Sequence, residues 1–171
     1  MNSWLDVNNA GEQKEYTIIP RGEIVCIQLI IRPGGYDTQK QFGIEGQVAT
    51  QGPSGAIYLD CECAILGGEY NKRRVWHKIG LWTDKGPEWA LQGRAFIRAL
   101  LNSATGINPT DQSPTAKQAR TIKRFEDLEN RPFVARIGVE IDAQYGPKNK
   151  IDIIIQPGHP AYSSAWSKPA V

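Results

Sequence analysis

The sequence predicts a mainly β domain, a five-stranded β-barrel with helices inserted between the third and fourth strands. Alternating apolar residues mark the strand segments, and helical periodicity follows the third of them. The chain has 171 residues, which is enough for one domain with a substantial core and short for two. A small open α+β sheet would use the same elements, so the sequence leaves both arrangements open.

The first strand is predicted at residues 24–31, a β-branched apolar run with turn signals on both sides. The polar residues 1–17 before it are predicted to form an N-terminal arm, with Trp4 and Leu5 among its few apolar anchors. Residues 36–55 after the strand are rich in Gly and Gln, which predicts an exposed loop with room for a short strand.

A β-hairpin is predicted at residues 57–82, where two alternating runs are joined by a basic turn. Gly67 and Gly68 permit the turn, and Asn71 tolerates a positive φ. The inward residues are predicted to be Ile57, Leu59, Cys61, Cys63, Ile65, Val75, His77, Ile79 and Leu81. The outward residues are predicted to be Tyr58, Asp60, Glu62, Ala64, Leu66, Trp76, Lys78, Gly80 and Trp82.

Two helices are predicted after this hairpin. Residues 89–103 carry apolar side chains at helical spacing, and Gly106 supplies a C-terminal stop. A second helix, capped by Ser113 or Thr115, is predicted to continue through Leu128.

A second hairpin completes the predicted domain, with strands at residues 133–141 and 151–155 and a turn at residues 145–150. The remaining tail is poor in charge and rich in Pro and Ser, which predicts a flexible segment.

Five strands with helices after the third are the layout of an OB-type barrel. The predicted organisation is therefore an N-terminal arm at residues 1–17, an OB-type domain at residues 18–156 and a flexible C-terminal tail at residues 157–171.

The net charge does not by itself mark a nucleic-acid-binding protein, because 20 Lys and Arg oppose 18 Asp and Glu for a formal charge of +2. The cations are clustered, however, with four Lys or Arg at residues 72–78, four at residues 117–124, and no acid in either group. Such patches fit salt-sensitive binding to phosphates, and they equally fit solvated helices and turns.

The N-terminal residues lack the pattern of a secretory signal, and no apolar segment approaches the length of a membrane helix. We therefore expect a soluble, cytoplasmic protein without membrane contact. The odd number of cysteines, three, fits a reducing compartment, and Cys61 and Cys63 are expected to pack inward.

Four segments carry a family pattern: IPRGEIVCIQLII, AIYLDCECAILGGEYNKRRVWHKIGLW, AFIRALLNSATG and DLENRPFVARIGVEIDAQYGPKNKID. Together they span about residues 18–156 and resemble bacteriophage single-stranded-DNA-binding proteins of the OB-fold group. The resemblance implies that one sheet face and its loops hold a single strand, in support of phage DNA replication or recombination in the host cytoplasm. It also implies partners among phage replication or recombination proteins. No acidic residue follows Asp152, so recruitment of partners through an acidic tail is not expected.

The outward face of the central hairpin supplies the candidate DNA-binding residues, since rings stack on bases while cations hold phosphates. Stacking is expected of Tyr58, Tyr70, Trp76 and Trp82. Phosphate contacts are expected of Lys72, Arg73, Arg74 and Lys78, with an extension through Lys123, Arg124 and Lys148. The alternative is an ordinary hairpin in which a helix covers Tyr58 and Trp76.

No catalytic, cofactor or metal site is predicted. The cysteines and scattered histidines lack the paired spacing of a zinc site, and no nucleophile stands beside a base. Asp60 and Glu62 share a strand face and raise the hypothesis of a metal-dependent nuclease, but cross-hairpin pairing with cations is the favoured interpretation.

The leading functional hypothesis is therefore a non-enzymatic single-stranded-DNA-binding protein that is largely indifferent to sequence. The alternative is a phage structural or assembly protein that does not bind nucleic acid. The sequence leaves open the preference for DNA over RNA, the site size and whether copies of the chain form a homo-oligomer.

Overall fold

The computed structural model describes residues 4–13 and 15–166, and antiparallel strands form its centre. The strands are β1 (Ile24–Arg32), β2 (Thr50–Gln51), β3 (Ile57–Leu66), β4 (Arg74–Trp82), β5 (Phe133–Asp142) and β6 (Gly146–Ile155). The helices are α1 (Gln39–Phe42), α2 (Glu88–Thr105), α3 (Pro114–Ala119) and α4 (Tyr162–Trp166), with a 3₁₀ helix at Phe125–Leu128.

The six strands form one sheet in which β1 is central. Strand β1 pairs with β3 on one side and β5 on the other, β3 also pairs with β2 and β4, and β6 pairs with β5. Among the described residues no ladder joins β4 to β6, so hydrogen bonds do not close the sheet into a barrel. The predicted position of the main helix is confirmed, because α2 lies between β4 and β5.

The inward face of β3 is the middle of the core, as its alternation predicts. Its five inward side chains are each 1% exposed or less: Ile57, Leu59, Cys61, Cys63 and Ile65. Burying one large aliphatic side chain stabilises a fold by about 1.5–3 kcal/mol, so this strand makes a large contribution. Strand β5 is buried on both faces where it begins, because Phe133 joins the main core while Val134 packs in a second cluster with Ala165 of α4.

Helix α2 is held against β4 by a contact between two glycine backbones. A Cβ atom on Gly93 would lie 2.0 Å from the carbonyl oxygen of Gly80, so no larger residue fits at Gly93. Further along the helix Leu100 and Leu101 enter the core. The predicted stop is confirmed, since Gly106 caps the helix in the left-handed conformation at φ 73°.

The predicted second helix is wrong in its extent. Ser113 caps α3 as predicted, because its hydroxyl oxygen accepts a hydrogen bond from the backbone N–H of Ala116, but the helix ends at Ala119. The carboxylate of Asp127 accepts the backbone N–H groups of Lys123 and Arg124 at 3.0 and 3.1 Å. A continuous helix would bond those groups to carbonyls one turn earlier, so the chain restarts as a separate 3₁₀ helix.

The predicted turn of the last hairpin is also wrong. Strand β6 begins at Gly146 and includes most of residues 145–150, which were predicted as turn. The carboxylate of Asp142 accepts the backbone N–H groups of Gln144 and Tyr145, and these bonds form the actual turn. Pro147 is accommodated because, in the described part of the chain, β6 pairs with β5 alone and its other edge carries no ladder.

Helix α4 lies within the segment predicted to be a flexible tail. Ala165 is 1% exposed, and the hydroxyl of Tyr162 donates a 2.6 Å hydrogen bond to the carbonyl oxygen of Ser103. These contacts hold residues 162–166 against α2 and the sheet, whereas residues 167–171 of the predicted tail lie outside the described residues. The described part of the predicted arm contains no helix or strand, and Trp4 and Leu5 are exposed.

The three cysteines are free and buried. Burial raises the pKa of the Cys63 thiol to about 12 and also raises the pKa values of Cys26 and Cys61. None of the helices in the described part of the chain is long and apolar enough to cross a lipid bilayer.

Candidate nucleic-acid interface

One solvent-facing sheet surface carries three of the predicted site residues, Tyr58, Trp76 and Lys78. We call it the outer face and define it by seven residues: Ile30, Arg32, Tyr58, Asp60, Glu62, Trp76 and Lys78. Directly paired residues of neighbouring strands lie on the same face of a sheet. The register therefore gives two adjacent rows across β4, β3 and β1, one from Trp76 to Glu62 to Ile30 and the next from Lys78 to Asp60 to Arg32.

Trp76 is the exposed ring of the outer face. Its side chain is 52% exposed, so the helix does not cover it. The guanidinium carbon of Arg32, one row away, lies 5.4 Å from the centre of the Trp76 ring. At this distance the ring quadrupole attracts the cation. The face thus combines an accessible aromatic surface with a positive charge at its edge.

Two carboxylates temper the positive charge of the outer face. Glu62 forms an ion pair with Arg74, as the favoured interpretation predicts. Asp60 lies directly between Lys78 and Arg32 in the register. Three cations, those of Arg32, Arg74 and Lys78, therefore surround the two carboxylates and leave a small positive excess. This arrangement argues against Asp60 and Glu62 as a carboxylate pair that is free to hold a metal ion. Within the described residues no group of three or more His, Cys, Asp or Glu is placed to bind a metal ion.

Tyr58 is half-covered at one end of the outer face. Its ring centre lies 6.2 Å from that of Trp89, which projects from the first turn of α2. The Lys78 ammonium nitrogen lies 4.8 Å from the centre of the Tyr58 ring. A Cβ atom on Gly80 would lie 2.4 Å from the Trp89 ring, so the glycine makes room for this tryptophan. The predicted alternative, a covering helix, thus holds in part for Tyr58 and does not hold for Trp76.

Trp82 is separated from the outer face by a β-bulge. The register shifts between Ile57 and Tyr58, so that Trp82 pairs with Ile57 while Gly80 pairs with Tyr58. An extra residue on one strand changes the direction of the side chains beyond it. Trp82 is 40% exposed, but the strict alternation that predicted it beside Trp76 is interrupted.

The basic turn between β3 and β4 contributes fewer available charges than predicted. Arg73 donates a 2.8 Å hydrogen bond to the carbonyl oxygen of Thr17, and its guanidinium lies 5.2 Å from the centre of the Tyr16 ring. Lys72 is exposed and adopts a positive φ of 70°. Tyr70 packs partly against the core, and this partial burial raises the pKa of its phenol. Lys72 is thus the accessible cation of the turn.

The predicted extension of the site falls on other elements. Lys123 and Arg124 precede the 3₁₀ helix, and Arg124 forms a 2.7 Å ion pair with Glu126. Lys148 lies on β6, where its ammonium is 3.3 Å from Glu140. These three cations therefore lie outside β1, β3 and β4, the strands that form the outer face.

His77 faces inward, as predicted. Its ring stacks on Phe96 of α2 with centres 4.1 Å apart and planes 16° apart. Burial lowers the pKa of the imidazole to about 4, so the ring is neutral at pH 7. A neutral, stacked imidazole packs the helix against β4.

Sequence reasoning missed Arg32 of the outer face and Trp89, which borders that face at Tyr58. Arg32 is the last residue of β1, and its place beside Trp76 depends on the β1–β3 register, which the sequence does not state. Trp89 was assigned only to the helix. The available signal was a small residue, Gly80, on β4, followed by an aromatic residue, Trp89, in the first turn of the next helix.

The fold and the outer face together define an antiparallel-sheet protein with one helix packed on its edge and an exposed tryptophan among cations. No protein-family model matches the chain, and no curated protein sequence matches it.

Proposed function

We propose that this chain binds single-stranded DNA across the outer face, with little dependence on base sequence. The observation that carries the proposal is Trp76, 52% exposed on a rigid sheet with the Arg32 guanidinium against its ring. A rigid, accessible indole offers a stacking surface to an unpaired base, and every base has such a surface. Sequence preference is therefore expected to be small.

The cations would hold the strand on either side of the stacked base. Lys78 and Arg32 lie in the row next to Trp76, and exposed Arg74 precedes it on β4. Phosphates would compete with Asp60 and Glu62 for these groups. The affinity is therefore expected to be moderate and to fall steeply with salt.

We further propose that the sheet is an OB-type barrel that is open between β4 and β6. The strand order from β4 through β3, β1 and β5 to β6, with the main helix between β4 and β5, supports this topology. His77 of β4 and Ile151 of β6 also line one cleft of about 280 Å³, which brings the two outer strands together. Oligonucleotide binding on a strand face is typical of this architecture.

The resemblance to bacteriophage proteins extends the proposal to a non-enzymatic role in phage DNA replication or recombination. In this role the chain would protect or organise unpaired DNA for partner enzymes. The paired state of Glu62 supports a binding role over a nuclease centred on Asp60 and Glu62.

Fluorescence anisotropy of a labelled oligo-dT tests the proposal. Binding should weaken as salt rises, and a duplex of the same length should bind more weakly. Lys78→Ala should make the plot of log affinity against log salt shallower by about 0.7, the slope expected for one phosphate contact on a single strand. Lys40→Ala, on α1, is the matched control and should leave the slope unchanged. Absence of binding at low salt with excess protein would refute the proposal.

A second candidate function, structural assembly, is favoured by the exposed tip of the last hairpin. Ile141 and Tyr145 are 75% and 79% exposed there. Exposed apolar side chains at such a tip can pack against another copy or a virion partner. Light scattering that shows large assemblies, together with no oligo-dT binding, would select this function over the first.

A further inference from the structure

A cleft of about 650 Å³ lies on the side of α2 that faces α1 and the 3₁₀ helix. It is bounded by α2, by the segment that joins α3 to the 3₁₀ helix, and by the loop after β1. Its lining residues are distinct from the outer face, so its argument does not rest on the proposed function.

The floor of the cleft is apolar. Leu81 of β4, Ile97 of α2 and Ile122 pack partly against the main core and present their remaining surface to the cleft. Phe125 closes the bottom and is 4% exposed. Phe42 of α1 also lines the cleft and is partly exposed. This mainly aliphatic lining fits the aliphatic side chains of a ligand.

Three arginines form the rim of the cleft. Arg120 is anchored, because its Nε donates to the side chain of Asn102 at 2.7 Å and its terminal nitrogens donate to the carbonyl oxygens of Asp111 and Asn108. Arg98 donates one hydrogen bond of 2.8 Å to the carbonyl oxygen of Pro109.

Arg94 completes the rim. It is exposed and has no hydrogen-bond or ion-pair partner within the described part of the chain. Among the described residues, those that line the cleft include no acid. Hydrogen bonds from Ser113 and, in addition, the positive charge of the Arg120 guanidinium lower the pKa of the Asp111 carboxyl, so the positive charge that is not offset belongs to Arg94 and Arg98.

We propose that this cleft binds an acidic peptide segment of a partner protein, with its carboxylates on the arginines and its aliphatic side chains on the floor. Guanidinium groups hold carboxylates through two parallel hydrogen bonds, which suits a segment rich in Asp and Glu. The chain would then have separate surfaces for this partner and for the ligand of the outer face.

Fluorescence anisotropy with a labelled peptide tests the inference. The probe is Asp-Glu-Leu-Ile-Asp-Glu-Leu-Phe, and its comparison is the same peptide with Asn and Gln in place of Asp and Glu. The acidic peptide should bind more tightly than the neutral peptide, and added salt should weaken its binding.

Three exposed positions give matched variants for this assay. Arg94→Glu should weaken peptide binding about tenfold or more, since one carboxylate contact becomes a repulsion. Ala95→Trp, which fills the cleft without changing its charge, should weaken binding by a similar factor. Lys85→Glu makes the same charge change outside the cleft and should have an effect of less than about twofold, because exposed charges at a distance are screened.

Equal binding of the acidic and neutral peptides, or no binding of either, would overturn the inference. Equal peptide affinity of Arg94→Glu and Lys85→Glu would overturn it as well. Loss of oligo-dT binding in Arg94→Glu with peptide binding retained would assign the cleft to nucleic acid instead. Failure of oligo-dT binding in the wild type, with the peptide results as expected, would refute only the proposed function.

Discussion

Replacing Trp76 with alanine is expected to weaken binding of oligo-dT about 5- to 150-fold. Stacking of one base on an aromatic side chain contributes about 1–3 kcal/mol, and each 1.4 kcal/mol corresponds to a tenfold change in Kd. Trp76 is the exposed ring of the outer face and lies at its β4 side, so its loss removes the main stacking surface. Arg32 also loses the ring it lies against.

The variant should remain folded. A tryptophan in a protein buries about 150–250 Å². Trp76 is 52% exposed, so it buries about 100 Å², and the substitution loses this burial. At 25 cal/mol per Å² this change lowers the free energy of unfolding by about 2.5 kcal/mol at most. A domain of ordinary stability tolerates a loss of this size.

The assay is the anisotropy of labelled oligo-dT at low salt, with urea unfolding measured on the same preparations. Trp166→Ala is the matched control, because Trp166 is 37% exposed but lies on α4. The control should lose stability without losing affinity. A folded Trp76→Ala variant with a Kd within about twofold of the wild type would refute the stacking argument.

Three further predictions concern stability. Gly93→Ala should lower the free energy of unfolding by more than about 2 kcal/mol in urea titrations, since its new Cβ would meet the Gly80 carbonyl oxygen at 2.0 Å. The control is Gly11→Ala, where a new Cβ would have nothing within 4 Å, and it should change the free energy of unfolding by less than about 0.5 kcal/mol. Folding depresses the pKa of His77 from 6.5 to about 4, so its neutral form stabilises the fold above pH 6.5. This contribution, up to about 3 kcal/mol, should be lost as pH falls from 6.5 to 4, and His77→Phe should remove that part of the pH dependence of urea unfolding. Ser103→Ala should lower the melting temperature and reduce the free energy of unfolding by about 1–3 kcal/mol, because the buried backbone N–H of Val134 loses its 2.9 Å hydrogen bond to the Ser103 hydroxyl. A melting temperature equal to that of the wild type would contradict this.

The strands of the core are predictable from the sequence because their pattern is local. Alternation along β3 places Leu59 and Cys63 inward, and both are fully buried. The helix stop at Gly106 is equally local, since only the residue after the helix needs a positive φ. By contrast, the helix does not continue past α3 because the Asp127 carboxylate accepts hydrogen bonds from the backbone N–H groups of Lys123 and Arg124. Helical periodicity in the sequence does not predict these side-chain hydrogen bonds.

The candidate site is only partly predictable, because its residues come from three strands. Trp76 and Lys78 were found from alternation within β4, which fixes their common direction. Arg32 joins them only through the strand register, and Trp82 departs from them because of a bulge. Arg73 was expected in solvent, but it contacts residues far away in sequence. Tertiary pairing therefore decides which cations accompany the exposed ring.

The burial of all three thiols gives the protein a practical property for labelling experiments. Cys26, Cys61 and Cys63 lie on the neighbouring strands β1 and β3 with raised pKa values, so little thiolate is available to a maleimide while the protein is folded. A single new cysteine on the surface can then carry a dye without removal of the native ones. Under mild denaturant the rate at which the native thiols are labelled then reports how often the central strands separate.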